Sequence, residues 1–123
     1  MRGSCLCGDI TWQATGKIGA PAACHCSQCR KQSGHVWASG WAYDDNLTIE
    51  GSPSWFEATP GFKRGFCPRC GSFLFWKDLN YPWTCFSMGS VDGQSGLRLS
   101  QHIFTDDKGD YYDIADGLPQ RGQ

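Results

Sequence analysis

The sequence predicts a mainly β fold, and three observations carry that expectation: short runs rich in β-branched and aromatic residues, turn signals spaced regularly between them, and very little helical character. The expected strands follow one another along the chain. Asp9 to Ala14 offers Ile10, Thr11 and Trp12; Val36 to Tyr43 offers Val36, Trp37, Trp41 and Tyr43; Leu47 to Glu50 offers Thr48 and Ile49. Ser54 to Ala58 is built on Trp55 and Phe56, Gly61 to Phe66 on its two phenylalanines, and Ser72 to Trp76 on Phe73, Phe75 and Trp76. Trp83 to Met88 and Leu97 to Phe104 complete the series. Between them stand Asp44-Asp45-Asn46, Gly51-Ser52-Pro53, Pro60-Gly61, Asp92-Gly93 and Asp107-Lys108-Gly109, residue types that reverse the chain. The clearest helical candidate is Ser27 to Ser33, with a second helical turn at Tyr112 to Asp116.

A chain of 123 residues has room for one domain, 1–123, around one modest core. Eleven Lys and Arg residues against twelve Asp and Glu give a formal net charge of −1, and no basic grouping is longer than the pair at Arg30-Lys31. That balance argues against a nucleic-acid partner, which requires clustered positive charge. Apolar runs are far shorter than the roughly 20 residues that span a bilayer, and Cys5 arrives before a secretory signal could fit, so a cytoplasmic, membrane-free protein is expected. An exposed edge strand of such a fold is where two copies would pair as a homodimer.

Eight cysteines then need an explanation. In a reducing compartment they are metal ligands before they are disulfides. Seven fall into three clusters: Cys5 and Cys7; Cys24, Cys26 and Cys29; Cys67 and Cys70. In CPRCG, Pro68 presets a turn and Gly71 lets the chain leave it, the pattern of a zinc knuckle that supplies two thiolates. A closed tetrahedral site needs four. On an extended strand, residues i and i+2 face the same way, so Cys5 and Cys7 can present the second pair. Cys5, Cys7, Cys67 and Cys70 are therefore expected to form a structural Zn²⁺ site.

Cys24, Cys26 and Cys29 supply three ligands, and an open fourth position distinguishes catalytic from structural zinc. Cys85, His35 and His102 are the candidates that would close it. His25 would point to the opposite strand face from Cys24 and Cys26 and is expected to be an ordinary histidine. Two Zn²⁺ ions add four charges and seven thiolates remove seven, which takes the formal net charge from −1 to −4. Arg30, Lys31 and Arg69, adjacent to ligands, are placed to offset it or to hold an anionic ligand. Most of the aromatic residues should fill the core. Trp37 and Trp41 could instead wall the open metal site, and Cys85 is expected to be a buried free thiol acting as a small hydrophobe.

GSCLCGDI from Gly3, ACHCSQCRKQSG from Ala23, FCPRCGSFLFW from Phe66, GSVDG from Gly89, HIF from His102 and YDIADGLP from Tyr112 together resemble the glutathione-dependent formaldehyde-activating enzymes, a family that includes centromere protein V. The resemblance spans Gly3 to about Pro119. It implies a zinc-stabilised β-tent fold, one structural zinc at Cys5, Cys7, Cys67 and Cys70, and a second, catalytic or exchangeable zinc at Cys24, Cys26 and Cys29. The implied activity is that of a carbon–sulfur lyase, the reversible condensation of glutathione with formaldehyde to S-(hydroxymethyl)glutathione. Tyr111 stands where tryptophan is common in the family, a departure that touches no metal ligand.

On that basis the thiol of glutathione is expected as fourth ligand of the second zinc, deprotonated and ready to attack the aldehyde carbon. Arg30 or Lys31 would hold one of its carboxylates. The rival expectation is a zinc-stabilised module that binds a protein or a thiol without catalysis, and a third is a redox sensor that ejects zinc on oxidation. An exchangeable fourth coordination position favours the enzyme; a fourth protein ligand favours the module.

Overall fold

A computed structural model describes residues 1–123 and shows two sheets, one α-helix and three single 3₁₀ turns. The mainly β expectation is met. A three-stranded sheet has the order β1 (Arg2–Ser4), β2 (Thr11–Ala14), β5 (Leu47–Glu50). The seven-stranded sheet runs β10 (Gln101–Ile103), β3 (Ile18–Cys24), β4 (Trp37–Tyr43), β9 (Trp83–Ser87), β8 (Phe73–Asp78), β7 (Phe62–Phe66), β6 (Ser54–Thr59). All its neighbours are antiparallel except β10, which lies parallel to β3.

Residue alternation explains the core. In β2, Trp12 and Ala14 are buried while Thr11 and Gln13 face solvent, as the two-residue period of a strand requires. Trp12 packs its ring 4.4 Å from that of Phe86, and with Ile10, Leu74 and Phe75 they form the larger apolar cluster. Gly3 is needed there: a Cβ on it would fall 2.2 Å from the Trp12 indole. A second cluster joins Cys24, Cys29, Trp37 and Phe73 and underlies the site described below.

Several elements differ from expectation. The predicted strand over Leu97 to Phe104 is reduced to Gln101–Ile103, the residues that find partners at Ala22, Ala23 and Cys24 on β3. Strand β3 itself, IGAPAAC, carries almost no β-branched residue, and its Pro21 sits where the register with β4 shifts between Gly19 and Ala22. A bulge tolerates the missing N–H of proline. Tyr112 to Asp116 is not helical; the 3₁₀ turn of this region is Thr105–Asp107, entered through Phe104 at φ 54°.

Candidate metal centres

The sulfur atoms of Cys5, Cys7, Cys67 and Cys70 lie within 4.8 Å of one another. Two turns bring them together, and the turns resemble each other. After β1 the Gly8 N–H donates to the Cys5 carbonyl at 3.1 Å, and after β7 the Gly71 N–H donates to the Cys67 carbonyl at 2.8 Å. Both glycines adopt left-handed backbone, φ 83° and 80°, where a side chain would be strained. The expectation that Cys5 and Cys7 project from a strand is corrected, because they stand in a turn that closes with Cys5 N–H donating to Ile10 O at 2.9 Å. Backbone N–H groups are aimed at the sulfurs: Ile10 to Cys5 at 3.3 Å and Cys70 to Cys67 at 3.5 Å. The Ser72 hydroxyl, followed by its backbone, lowers the Cys70 thiol to about 5.

The donor set fits zinc. A tetrahedron with Zn–S of about 2.3 Å has sulfurs about 3.8 Å apart, and Cys5–Cys7 and Cys7–Cys67 are separated by 3.6 and 3.7 Å. Arg69 lies outside this cluster, exposed and paired with Asp9 at 3.1 Å.

The second cluster holds Cys24, Cys26 and Cys29, again within 4.8 Å. Cys24 ends β3, Cys26 caps helix α1 (Ser27–Ser33), and Cys29 lies in its first turn. The cap explains the spacing: the Cys26 sulfur accepts from the Cys29 backbone N–H at 3.3 Å, as a capping side chain does. Gly34 ends the helix in left-handed backbone, its N–H bonded to the Arg30 carbonyl. Cys26 is the acidic member of the trio. The Cys24 and Cys29 thiols, the Cys29 N–H and the positive charge of Arg64 hold its pKa far below the usual thiol range, while Cys24 is raised by the Cys26 and Cys29 thiols and by burial.

No fourth protein donor joins the cluster. His102 is bonded to His25 and Asp116, and His35 to the Tyr111 hydroxyl. Cys85 is a free thiol on the wall of the adjoining cavity, pushed up to about 12 chiefly by burial. That cavity, of about 520 Å³, has the three cysteines on its floor. Trp37 borders it and stacks on Phe73 at 4.2 Å; Trp41 packs instead against Trp83 and Tyr43 and does not line it. A cavity of about 630 Å³ across Trp37 and Phe73 reaches only Cys5 among the thiols.

Arg64 went unnoticed in the sequence. It comes from β7, is 6% exposed, and donates to the Cys29 sulfur at 3.5 Å and to the Gln28 side-chain oxygen at 3.2 Å. Arg30 and Lys31 lie on α1 outside the cavity; Arg30 donates to the backbone carbonyl of Asp107 on the cavity rim at 3.1 Å.

His25 takes no part in the cluster. It is 2% exposed and belongs to a hydrogen-bonded chain. The Asp116 carboxylate accepts from His102 Nε2 at 2.7 Å, which leaves His102 Nδ1 to accept from His25 Nε2 at 2.8 Å, and His25 Nδ1 to accept from the Tyr112 hydroxyl at 2.9 Å. With neutral rings, the carboxylate acceptor at one end sets this direction of donation along the chain. Burial first, and then the positive charge that a protonated His102 would carry, lowers the His25 pKa.

Residues 1–107 match the sequence profile of the family described as "Glutathione-dependent formaldehyde-activating enzyme". The chain belongs to this family. A Halomonas elongata protein named "Putative glutathione-dependent formaldehyde-activating enzyme" is 28% identical over 130 residues, covering 93% of this chain and 80% of its own length. A crystal structure of a Rhodobacter sphaeroides protein is similar in fold, with a TM-score of 0.65 at 21% identity over 78% of this chain and 92% of that one. The formaldehyde-activating family signature spans both cysteine clusters, and its match ends at Asp107 on the cavity rim.

Proposed function

We propose that this chain forms and cleaves the carbon–sulfur bond between glutathione, or a related thiol, and an aldehyde such as formaldehyde, at the cavity above Cys24, Cys26 and Cys29. The observation that carries this reading is the incomplete donor set: three sulfurs face a cavity and no fourth protein ligand stands with them. Cys24, Cys26 and Cys29 would hold a Zn²⁺, and the chemistry such an ion would supply there is acidification of a thiol substrate. Arg64 offsets the negative charge that accumulates there, through its contact with Cys29. Gln28 keeps the guanidinium turned toward the sulfurs. Arg30, which reaches the Asp107 carbonyl, and its neighbour Lys31 take the carboxylates of the thiol substrate from outside the cavity. Cys5, Cys7, Cys67 and Cys70 hold a second Zn²⁺ with a purely structural task. Eight free thiols suit a reducing compartment, and we place the protein in the cytoplasm.

Two-dimensional exchange NMR on ¹³C-formaldehyde and glutathione tests the reading. Zinc-loaded protein should accelerate interconversion with S-(hydroxymethyl)glutathione over the uncatalysed rate, and Cys26→Ser should abolish the acceleration. An unchanged exchange rate with loaded protein, or full activity in Cys26→Ser, would refute it. The second reading, a non-catalytic binding module, draws support from Trp55 and Phe56, 37% and 60% exposed on the edge strand β6, where a protein partner or a second copy could add. Thiol binding without any acceleration would select it.

A further inference from the structure

Formaldehyde has no substituent, yet the cavity over the three cysteines measures about 520 Å³. Its walls are rings. Phe62 stacks on Trp76 with centroids 5.8 Å apart, Trp83 follows at 6.0 Å from Trp76, and Phe104 closes the rim. Arg64 and Asp107 are the only lining residues with ionisable acidic or basic groups other than the thiols, and the Arg64 guanidinium is already engaged by Cys29 and Gln28. Glutathione carries an ammonium and two carboxylates. Charges of that kind are costly to bury unpaired, so they belong outside the ring-walled volume, on the side where Arg30 reaches the carbonyl of Asp107, and the ring-walled volume is left to the other reactant.

We propose that the aldehyde taken by this protein bears an aromatic or comparably bulky apolar substituent, seated between Phe62, Trp76, Trp83 and Phe104. The inference rests on the carbon–sulfur reading above. In the step, the thiolate sulfur pair forms the C–S bond and the C=O π pair moves to oxygen. The proton released by the thiol ends on that oxygen, and no oxidant or reductant is required.

The test pairs a binding measurement with a rate measurement. 2-Phenylethanol, which cannot react, should quench tryptophan fluorescence of the zinc-loaded protein saturably, and Phe62→Ala should weaken that binding about tenfold. In exchange NMR with glutathione, phenylacetaldehyde should show a kcat/KM at least about tenfold above that of formaldehyde, the low end of what one apolar group contributes in an apolar pocket. The ratio should fall in Phe62→Ala. Acceleration of formaldehyde with no advantage for phenylacetaldehyde would overturn the substituent assignment while leaving the carbon–sulfur reading intact. Acceleration only when benzyl mercaptan replaces glutathione would overturn it by assigning the apolar group to the thiol. No acceleration with any pair would overturn both.

Discussion

His25 Nε2 and His102 Nδ1 lie 2.8 Å apart, and this contact ties the bend that carries Cys24 and Cys26 to the C-terminal segment of the chain. His102 in turn is held by Asp116, and His25 by Tyr112. Beside it, the His25 backbone N–H donates to the Ile103 carbonyl at 3.0 Å, extending the parallel pairing of β3 with β10. The segment after β10 therefore braces the cysteine-bearing bend from behind.

Replacing His102 with alanine should leave the His25 Nε2–H buried without an acceptor. A buried donor without a partner costs about 1–3 kcal/mol. Urea unfolding at fixed zinc concentration should show a loss in that range, and a variant as stable as wild type would remove His102 from the brace.

Asp116 gives this brace a pH dependence. The hydrogen bond from His102, and then the Leu118 backbone N–H, hold its carboxyl below the usual carboxylate range. A carboxyl depressed in the folded state adds stability above the ordinary value near pH 4, and that contribution disappears as pH falls through the lower folded value. Asp116→Asn should therefore be less stable than wild type at pH 7, with the difference shrinking as pH falls below about 4. Urea midpoints of both proteins across that window check the sign, and because both share the same thiol ligands, proton competition for zinc cancels in the comparison.

Arg64 contacts the Cys29 sulfur, which the proposed site uses to hold zinc, without offering a ligand atom itself. Outer partners of this kind typically change metal affinity by about 10- to 100-fold. Arg64→Gln should weaken zinc binding at the three-cysteine cluster by that factor and leave the four-cysteine cluster loaded. A chelator competition titration separates the two sites, and equal loss at both would contradict the assignment.

The two clusters should respond differently to ligand loss. Cys67→Ser removes a fully buried sulfur that shares the larger apolar cluster with Leu74, Phe75 and Phe86, and should lower the thermal transition sharply or prevent folding. Cys26→Ser, on a partly exposed cap, should leave a folded protein with one zinc fewer. Metal analysis alongside circular dichroism reads both outcomes.

Much of the site was legible because ligand chemistry is local in sequence. CxC, CxCxxC and CPRCG each place their sulfurs by a single bend, and helix Ser27–Ser33 was readable from the same residues. What escaped is non-local. Strand β3 has weak intrinsic preference for extended structure and owes it to partners on both sides. Arg64 sits in FKRGF with nothing nearby to mark it, and it reaches Cys29 only because strand pairing folds β7 over α1. Adjacency pointed to Arg30 and Lys31, which follow Cys29 on α1 and do not line the cavity, and carried no sign of the arginine that does. The histidine chain was hidden for the same reason, since Tyr112 and Asp116 meet His25 and His102 through an extended segment that carries no periodic signal.

The ligands of the three-cysteine cluster span six residues, from Cys24 to Cys29, whereas Cys7 meets Cys67 across a separation of 60. A metal at the first therefore closes almost no loop, while a metal at the second is a cross-link that removes loop-closure entropy from the unfolded chain. The two sites have unequal stakes in the fold, and when zinc is scarce they should empty in sequence. On that expectation the short-span site would give up its ion first with the architecture persisting around it, and the proposed chemistry would stop at a zinc supply that still sustains the fold.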